Sequence, residues 1–112
     1  MTNSNDTSKA FQYAISLCDK WRHEFVTPEH VLYAIAEQEP FVEAASTAEL
    51  DARAIQEKLR PELTKMEQVP DGVSYTIEGS EQFSEMMAHA VKQAQFAESD
   101  ELDIPHIISA MM

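Results

Sequence analysis

His23 and Glu24 stand side by side, and Glu29 and His30 follow after only Phe25-Val26-Thr27-Pro28. Imidazoles and carboxylates are the ligand types that a zinc ion takes. His-Glu also opens the H-E-x-x-H arrangement, in which two histidines on one helix face hold zinc beside a glutamate base. The second histidine of that arrangement would fall at position 27, which is Thr27. A turn between positions 23 and 30 leaves open whether two or three of the four side chains converge. Among enzymatic readings, a small metal-dependent hydrolase using His23 and His30 is therefore the alternative to weigh. The expectation is nonetheless no metal and no catalytic residue in this chain. His30 is expected to be structural, its ring bonded to backbone near a helix start. The serines lack a histidine–carboxylate partner set, and Cys18 falls on an apolar helical stripe, where a thiol is a core filler and not a nucleophile. No Gly-rich phosphate loop is present, so ATP and other cofactors are not expected here.

The elements around these residues are easier to read. Thr27 suits an N-cap, Pro28 suits the first helical position, and Glu29 places negative charge at the positive end of a helix dipole. Val31, Leu32 and Ile35 then follow at helical spacing, with small Ala34 allowing close helix approach. Upstream, Ala10, Phe11, Ala14, Ile15 and Cys18 predict one buried face of a helix over about 7–22. Trp21 continues that face, while Asp19, Lys20 and Arg22 point outward. Residues 1–6 are expected to fray. Pro40 opens a short third helix, and Asp51 caps a fourth with Ile55, Leu59 and Leu63 on its stripe. Pro61 is expected to weaken that fourth helix.

Periodicity fails from Glu67 to Gly79, where Pro70-Asp71-Gly72 reads as a turn in an extended, exposed linker. Ser80 caps a fifth helix carrying Phe83, Met86, Met87, Ala90, Val91 and Ala94, and Asp103 caps a sixth carrying Ile107, Ile108 and Met111. Met86 and Met87 read as core, with Met111 and Met112 left undecided between packing and an adaptable binding surface. The two halves are copies. A shift of 76 residues carries His30 onto His106, Ala34 onto Ala110, Ala14 onto Ala90 and Ser8 onto Ser84. The same shift carries Val26 onto Leu102, Ile15 onto Val91 and Thr27 onto Asp103, keeping a capping residue at the cap. An ungapped internal repeat is a statement about architecture. The reading is all-α: a tandem, pseudo-twofold repeat of short helices. Repeat 1 spans about 7–66, the linker about 67–79, and a partial repeat 2 about 80–112, with its last helices expected to have been removed.

Composition sets outer limits. The 112 residues fit one domain, and 44% apolar content excludes a disordered acidic tail despite a net charge of −12. Such acidity argues against nucleic acid and anionic lipid, whose charges would be repelled. A single cysteine excludes an internal disulfide and fits a reducing compartment. With no signal-like apolar segment at the N-terminus and no membrane-length apolar run, a cytoplasmic location is expected.

The run Arg22-His23-Glu24-Phe25-Val26-Thr27-Pro28-Glu29-His30-Val31-Leu32-Tyr33-Ala34-Ile35 resembles the start of the N-terminal domain of Clp-family AAA+ unfoldases. Its Arg-His-Glu-Phe portion is most similar to the ClpA branch. The resemblance extends through Ala52–Leu59 and Phe83–Ile108, with Val31, Tyr33 and Pro105 departing from the usual pattern. It implies a tandem four-helix repeat and a non-catalytic docking domain. Such a domain binds the adaptor ClpS, or unfolded or tagged substrates, for an attached ATPase ring and the ClpP peptidase. On this resemblance Glu24 and Glu29 match the adaptor contacts, His23 is a neighbouring candidate, and Ser80 shares the surface. A monomeric isolated domain is implied, or alternatively a free-standing Clp accessory protein of the same fold.

Overall fold

Helix α1 (Asn5–Trp21) begins where Ser4 places its hydroxyl oxygen to accept from the Thr7 N–H at 3.2 Å. Asp103 can only accept from that hydroxyl, at 2.8 Å, so the Thr7 hydroxyl must be the donor in its 2.9 Å contact with Ser4. Helix α2 (Pro28–Ala36) follows the Thr27 cap, and α3 (Glu39–Thr47) starts with Pro40 in its first turn. Helix α4 (Ala52–Thr64) is capped by Asp51, α5 (Glu81–Phe96) by Ser80, and α6 (Ile104–Met111) follows Asp103. The computed structural model describes residues 2–111, so Met112 falls outside the described residues. The chain is all-α, with four two-residue strands among the described residues tying the helices together.

Those strands express the pseudo-twofold. β1 (Thr2–Asn3) pairs in parallel with β4 (Glu101–Leu102), and β2 (Phe25–Val26) with β3 (Glu78–Gly79). A shift of 76 carries β1 onto β3 and β2 onto β4, so each ladder takes one strand from each repeat. The repeat reaches individual hydrogen bonds. Ser4 N–H donates to the Leu102 carbonyl as Ser80 N–H does to Val26, and His23 N–H to Cys18 as Ser99 N–H to Ala94. Arg22 and Glu98 both take left-handed φ of 54° just past the ends of α1 and α5. Residues 2–6 thus do not fray as expected of 1–6, Met1 lying outside the described residues. Thr2, Asn3 and Ser4 are fixed by partners near Leu102, too distant in sequence for any local pattern to announce.

The main core lies where α1, α2, α5 and α6 meet. Ala14, Cys18, Ala34, Ala90 and Ala94 let backbones approach, and Val31, Ile35, Met86 and Ile107 fill the space. Ile15, expected in this face, is 49% exposed; Leu17 is buried instead, in a second cluster with Tyr33 and Leu63 that seats α4. The helix-period estimate could not separate these two faces, because α1 packs on one side against α5 and on the other against α4. Pro61 does not interrupt α4. Its missing N–H costs one rung, while Leu63 beyond it is fully buried and holds the last turn in place. The matching seat on repeat 2 is not apolar. Gln93, Ala97 and Ser109 stand where Leu17, Trp21 and Tyr33 stand in repeat 1, and all three are exposed.

Arg22 does not point freely outward. Its carbonyl accepts from Val69 N–H at 2.8 Å, and its guanidinium donates to the carbonyls of Val69, Pro70 and Val73 at 2.8–3.0 Å while lying 5.1 Å from the Tyr75 ring. The segment between the repeats is irregular but pinned. Arg22→Ala should therefore release it at a cost of about 1 kcal/mol, since the guanidinium is partly solvated. Amide exchange at Val69 and Val73 should accelerate at least about tenfold while α5 and α6 stay protected; unchanged exchange at both amides would contradict the pin.

Candidate functional site

The turn from Arg22 to Thr27 is held by two histidines. Thr27 N–H donates to His30 Nδ1 at 3.0 Å, and the Thr27 hydroxyl reaches the same nitrogen at 2.8 Å. A backbone N–H can only donate, so His30 Nδ1 is the acceptor and the proton of the neutral ring sits on Nε2. That Nε2–H then donates to His23 Nδ1 at 2.9 Å. His23 must in turn carry its own proton on Nε2, and this is the one buried side-chain polar atom among the described residues without a partner. The same box recurs at Asp103 N–H and His106 Nδ1, 3.0 Å apart. His30 is structural, as its spacing suggested, and the turn does bring His23 to it.

Both rings are fully buried. Burial lowers the His23 pKa, and burial together with the neighbouring His23 pushes His30 down to about 4, with Glu29 opposing weakly. The dyad is thus neutral and shut away. Its facing nitrogens bond each other, which leaves no open pair of ligands. Among the described residues no three His, Cys, Asp or Glu side chains gather to hold a metal. Burial also raises the Cys18 thiol to about 11, which keeps it protonated at neutral pH and unsuited to attack.

The surface around the dyad is where contact can occur. Glu24 is exposed and Glu29 is exposed in the first turn of α2. Ser80 is half-buried, its hydroxyl oxygen accepting from Phe83 N–H at 3.0 Å and its N–H donating to Val26. Glu78 N–H donates to the Glu24 carbonyl at 2.9 Å, so the β2–β3 ladder brings Glu24 and Ser80 onto one corner. His23 departs from its expected place. Its ring has no exposed area, so it supports the corner from beneath and is not a contact residue. A groove of about 170 Å³ opens beside β3, lined by Phe11, Ile15, Val26, Ile77, Gly79 and Phe83. Sequence reasoning missed this groove because it assigned Phe11, Ile15 and Phe83 to the core by periodicity. The signal available was the alignment of Phe83 with Thr7, an aromatic residue against a polar one at matching positions.

The dyad has a direct pH consequence. Both folded-state pKa values lie below the ordinary 6.5, so the unfolded chain takes up protons first as pH falls. For His30 the contribution is whole above about pH 6.5 and is lost toward pH 4, at up to about 1.4 kcal/mol per pH unit, and the lowered His23 adds a loss in the same direction. His30→Gln keeps an acceptor for Thr27 N–H without titrating in this range. Urea midpoints at pH 7.5, 6 and 5 should fall more steeply in the parent chain than in the variant, and parallel lines would refute the dyad's role.

Comparison with known proteins places this geometry. The family model described as Clp repeat (R) N-terminal domain matches residues 2–112. The fold is similar to the Hsp104 N-terminal domain from Candida albicans, at 18% identity and a TM-score of 0.86, over 99% of this chain and 73% of that one. It is also similar to the N-terminal domain of the ClpV1 ATPase from the E. coli EAEC Sci1 type VI secretion system, at 21% identity and a TM-score of 0.81, over 97% and 66%. A further similar structure is described as a peptide from the EAEC Sci1 SciI protein of that secretion system, at 20% identity and a TM-score of 0.85, over 97% and 69%. No curated protein matches the sequence. No described helix is long and apolar enough to cross a membrane. With its repeated capping turns and a family match across nearly its whole length, the chain belongs to the Clp repeat N-terminal domain family.

Proposed function

We propose that this chain is a non-catalytic docking domain of a ClpA-like, ATP-dependent unfoldase, presenting protein ligands to an AAA+ ring and ClpP. The observation that carries this reading is an apolar groove with acidic residues at its border, built at the seam of the two repeats. Ile15 leaves 49% of its surface exposed there, although a domain this small has little apolar surface to spare. Glu78 lines the groove, Glu24 is joined to it through the backbone, and Glu29 is exposed in the first turn of α2. Apolar anchors in such a patch supply most of the affinity, and the carboxylates steer encounter with a basic or polar partner. The description of a related structure by a SciI peptide is in keeping with a fold that takes polypeptide ligands. The adaptor ClpS is the partner we assign to the Glu24, Glu29 and Ser80 corner, and unfolded or tagged segments to the groove. The ATP of such an unfoldase is assigned to its AAA+ modules, and the location to the cytoplasm.

Titration calorimetry with ClpS tests the corner. Glu24→Lys and Glu29→Lys should each weaken binding by roughly tenfold, and by less at high salt. Unchanged affinity in both variants would remove these residues from the interface. Gly79 tests the groove separately, because a Cβ there would meet Phe83 Cδ1 at 2.7 Å. Gly79→Ala should displace the ring at a stability cost of about 1–2 kcal/mol and reduce binding of an unfolded apolar substrate, leaving ClpS affinity within about twofold. Equal loss of both ligands would merge the two surfaces into one.

A further inference from the structure

The β2–β3 ladder uses only one edge of β3. Glu78 N–H donates to the Glu24 carbonyl and Ser80 N–H to the Val26 carbonyl, both at 2.9 Å. Successive residues of a strand turn their N–H and C=O groups to opposite edges, so Ile77 and Gly79 direct theirs away from β2. Among the described residues no backbone group bonds to either of them. Gly79 is exposed, and since it has no side chain, the surface it exposes is backbone. An edge of this kind is a template for a further strand, which proteins commonly blunt with lysine, proline or a bulge. Thr76-Ile77-Glu78-Gly79 contains neither lysine nor proline.

The open edge runs along the apolar groove, whose lining includes Ile77 and Gly79 themselves. A Cβ on Gly79 would meet Phe83 Cδ1 at 2.7 Å, so the glycine both seats that ring and leaves its own backbone clear. Successive register pairs face opposite sides of a ladder. Val26–Gly79 looks into the groove and Phe25–Glu78 away from it, with exposed Glu78 at the groove's rim. The equivalent edge on β1 lacks this floor: Asn3 stands where Gly79 does, and buried Thr7 where Phe83 does.

We propose that an extended segment of a partner polypeptide adds a third strand to this ladder along Ile77–Gly79, placing one apolar side chain in the groove between two basic residues. This deepens the docking reading, on which it rests for the existence of a polypeptide partner, and states the form and sequence that the groove selects. Main-chain bonds to Gly79 and Ile77 hold any extended chain, while the groove and the carboxylate choose among side chains. Residues on either side of the buried one point the other way, toward Glu78 and the exposed Phe25 ring, where a cation is favoured. A second copy of this chain is disfavoured as occupant, because it would bring its own Glu78 and a net charge of −12 against the same acidic surface.

The test titrates the ¹⁵N-labelled 112-residue chain with acetyl-Thr-Lys-Leu-Lys-Thr-amide and follows the backbone amides by NMR. Saturation should shift the Ile77 and Gly79 amides and slow Gly79 N–H exchange about tenfold, while Glu78 and Ser80, already bonded to β2, keep their rates. Methylating the peptide's backbone nitrogens one at a time should weaken binding about fivefold at alternate residues only, since every second N–H faces β3. Replacing Leu with Ser, or both Lys with Glu, should also cost about fivefold. Glu78→Gln, at an exposed position, should reduce the preference for Lys over Glu about threefold with the melting temperature unmoved. Loss at every methylated position would indicate a helix in the groove, and loss at none would indicate side-chain docking alone; either result overturns strand addition. So would an unmoved Gly79 amide, an Asn3 shift as large as that of Gly79, or Gly79 protection that rises with protein concentration in the absence of peptide, the mark of a second copy. ClpS affinity at the Glu24–Glu29 corner is measured separately, so the docking reading stands or falls on its own result.

Discussion

One hydrogen bond, from the Thr27 N–H to His30 Nδ1, sets the state of everything around it. It satisfies a backbone donor at the start of α2 that would otherwise be orphaned. It also fixes which nitrogen of His30 holds the proton, and through that ring it fixes His23 as well. With both imidazoles neutral and buried, the turn can press against Cys18 and Trp21 without burying charge. Burying an ionised ring there would cost far more than the bond returns. The recurrence of the bond at Asp103 and His106 shows that the device belongs to the repeat and not to a ligand site. Only the first copy has a second histidine beneath it, since Ser99 stands where His23 does.

The repeats have diverged most where they meet solvent. At the β2–β3 seam Phe11, Ile15 and Phe83 form an open apolar surface, whereas their counterparts across the pseudo-twofold are Met87, Val91 and Thr7, with Thr7 fully buried. At the outer face, Leu17, Trp21 and Tyr33 hold α4, while Gln93, Ala97 and Ser109 offer it no counterpart. The internal positions, by contrast, stay small in both copies: Ala14 with Ala90, and Cys18 with Ala94. Close backbone approach leaves those sites no freedom. The domain is therefore symmetric in its frame and asymmetric in what it shows to partners.

Much of the frame was legible. Thr27-Pro28-Glu29 announces a helix start by local chemistry, and the 76-residue shift exposes the second copy without any structure. Cys18 was legible too, because one helical stripe leaves it no route to solvent. The site was read less well, for reasons that are physical. Glu24 and Ser80 share a corner only because β2 pairs with β3, a contact that two residues of strand cannot advertise. His23 looks like a surface residue in a turn, and nothing in its neighbours reveals that it is buried edge-on against His30. Arg22 reads as an outward charge, yet its guanidinium spends its donors on carbonyls about 50 positions further along, where no helical or strand periodicity operates. Ile15 shows the remaining limit: periodicity finds the apolar residues of a helix but does not say which of two packing partners each one meets.

The exchange of strands has a consequence for how the molecule comes together. Because β1 pairs with β4 and β2 with β3, neither half of the chain can complete a ladder alone. In stacked-repeat proteins each unit touches only its neighbours, and order can spread outward from any of them. Here β1 waits for a partner synthesised about a hundred residues later, so the helices between them must persist as a half-made body with their shared seam bare. The interlock that makes assembly slow to finish also makes it hard to undo piecemeal: loosening one end strips a strand from the other, and the two halves are bound to open together.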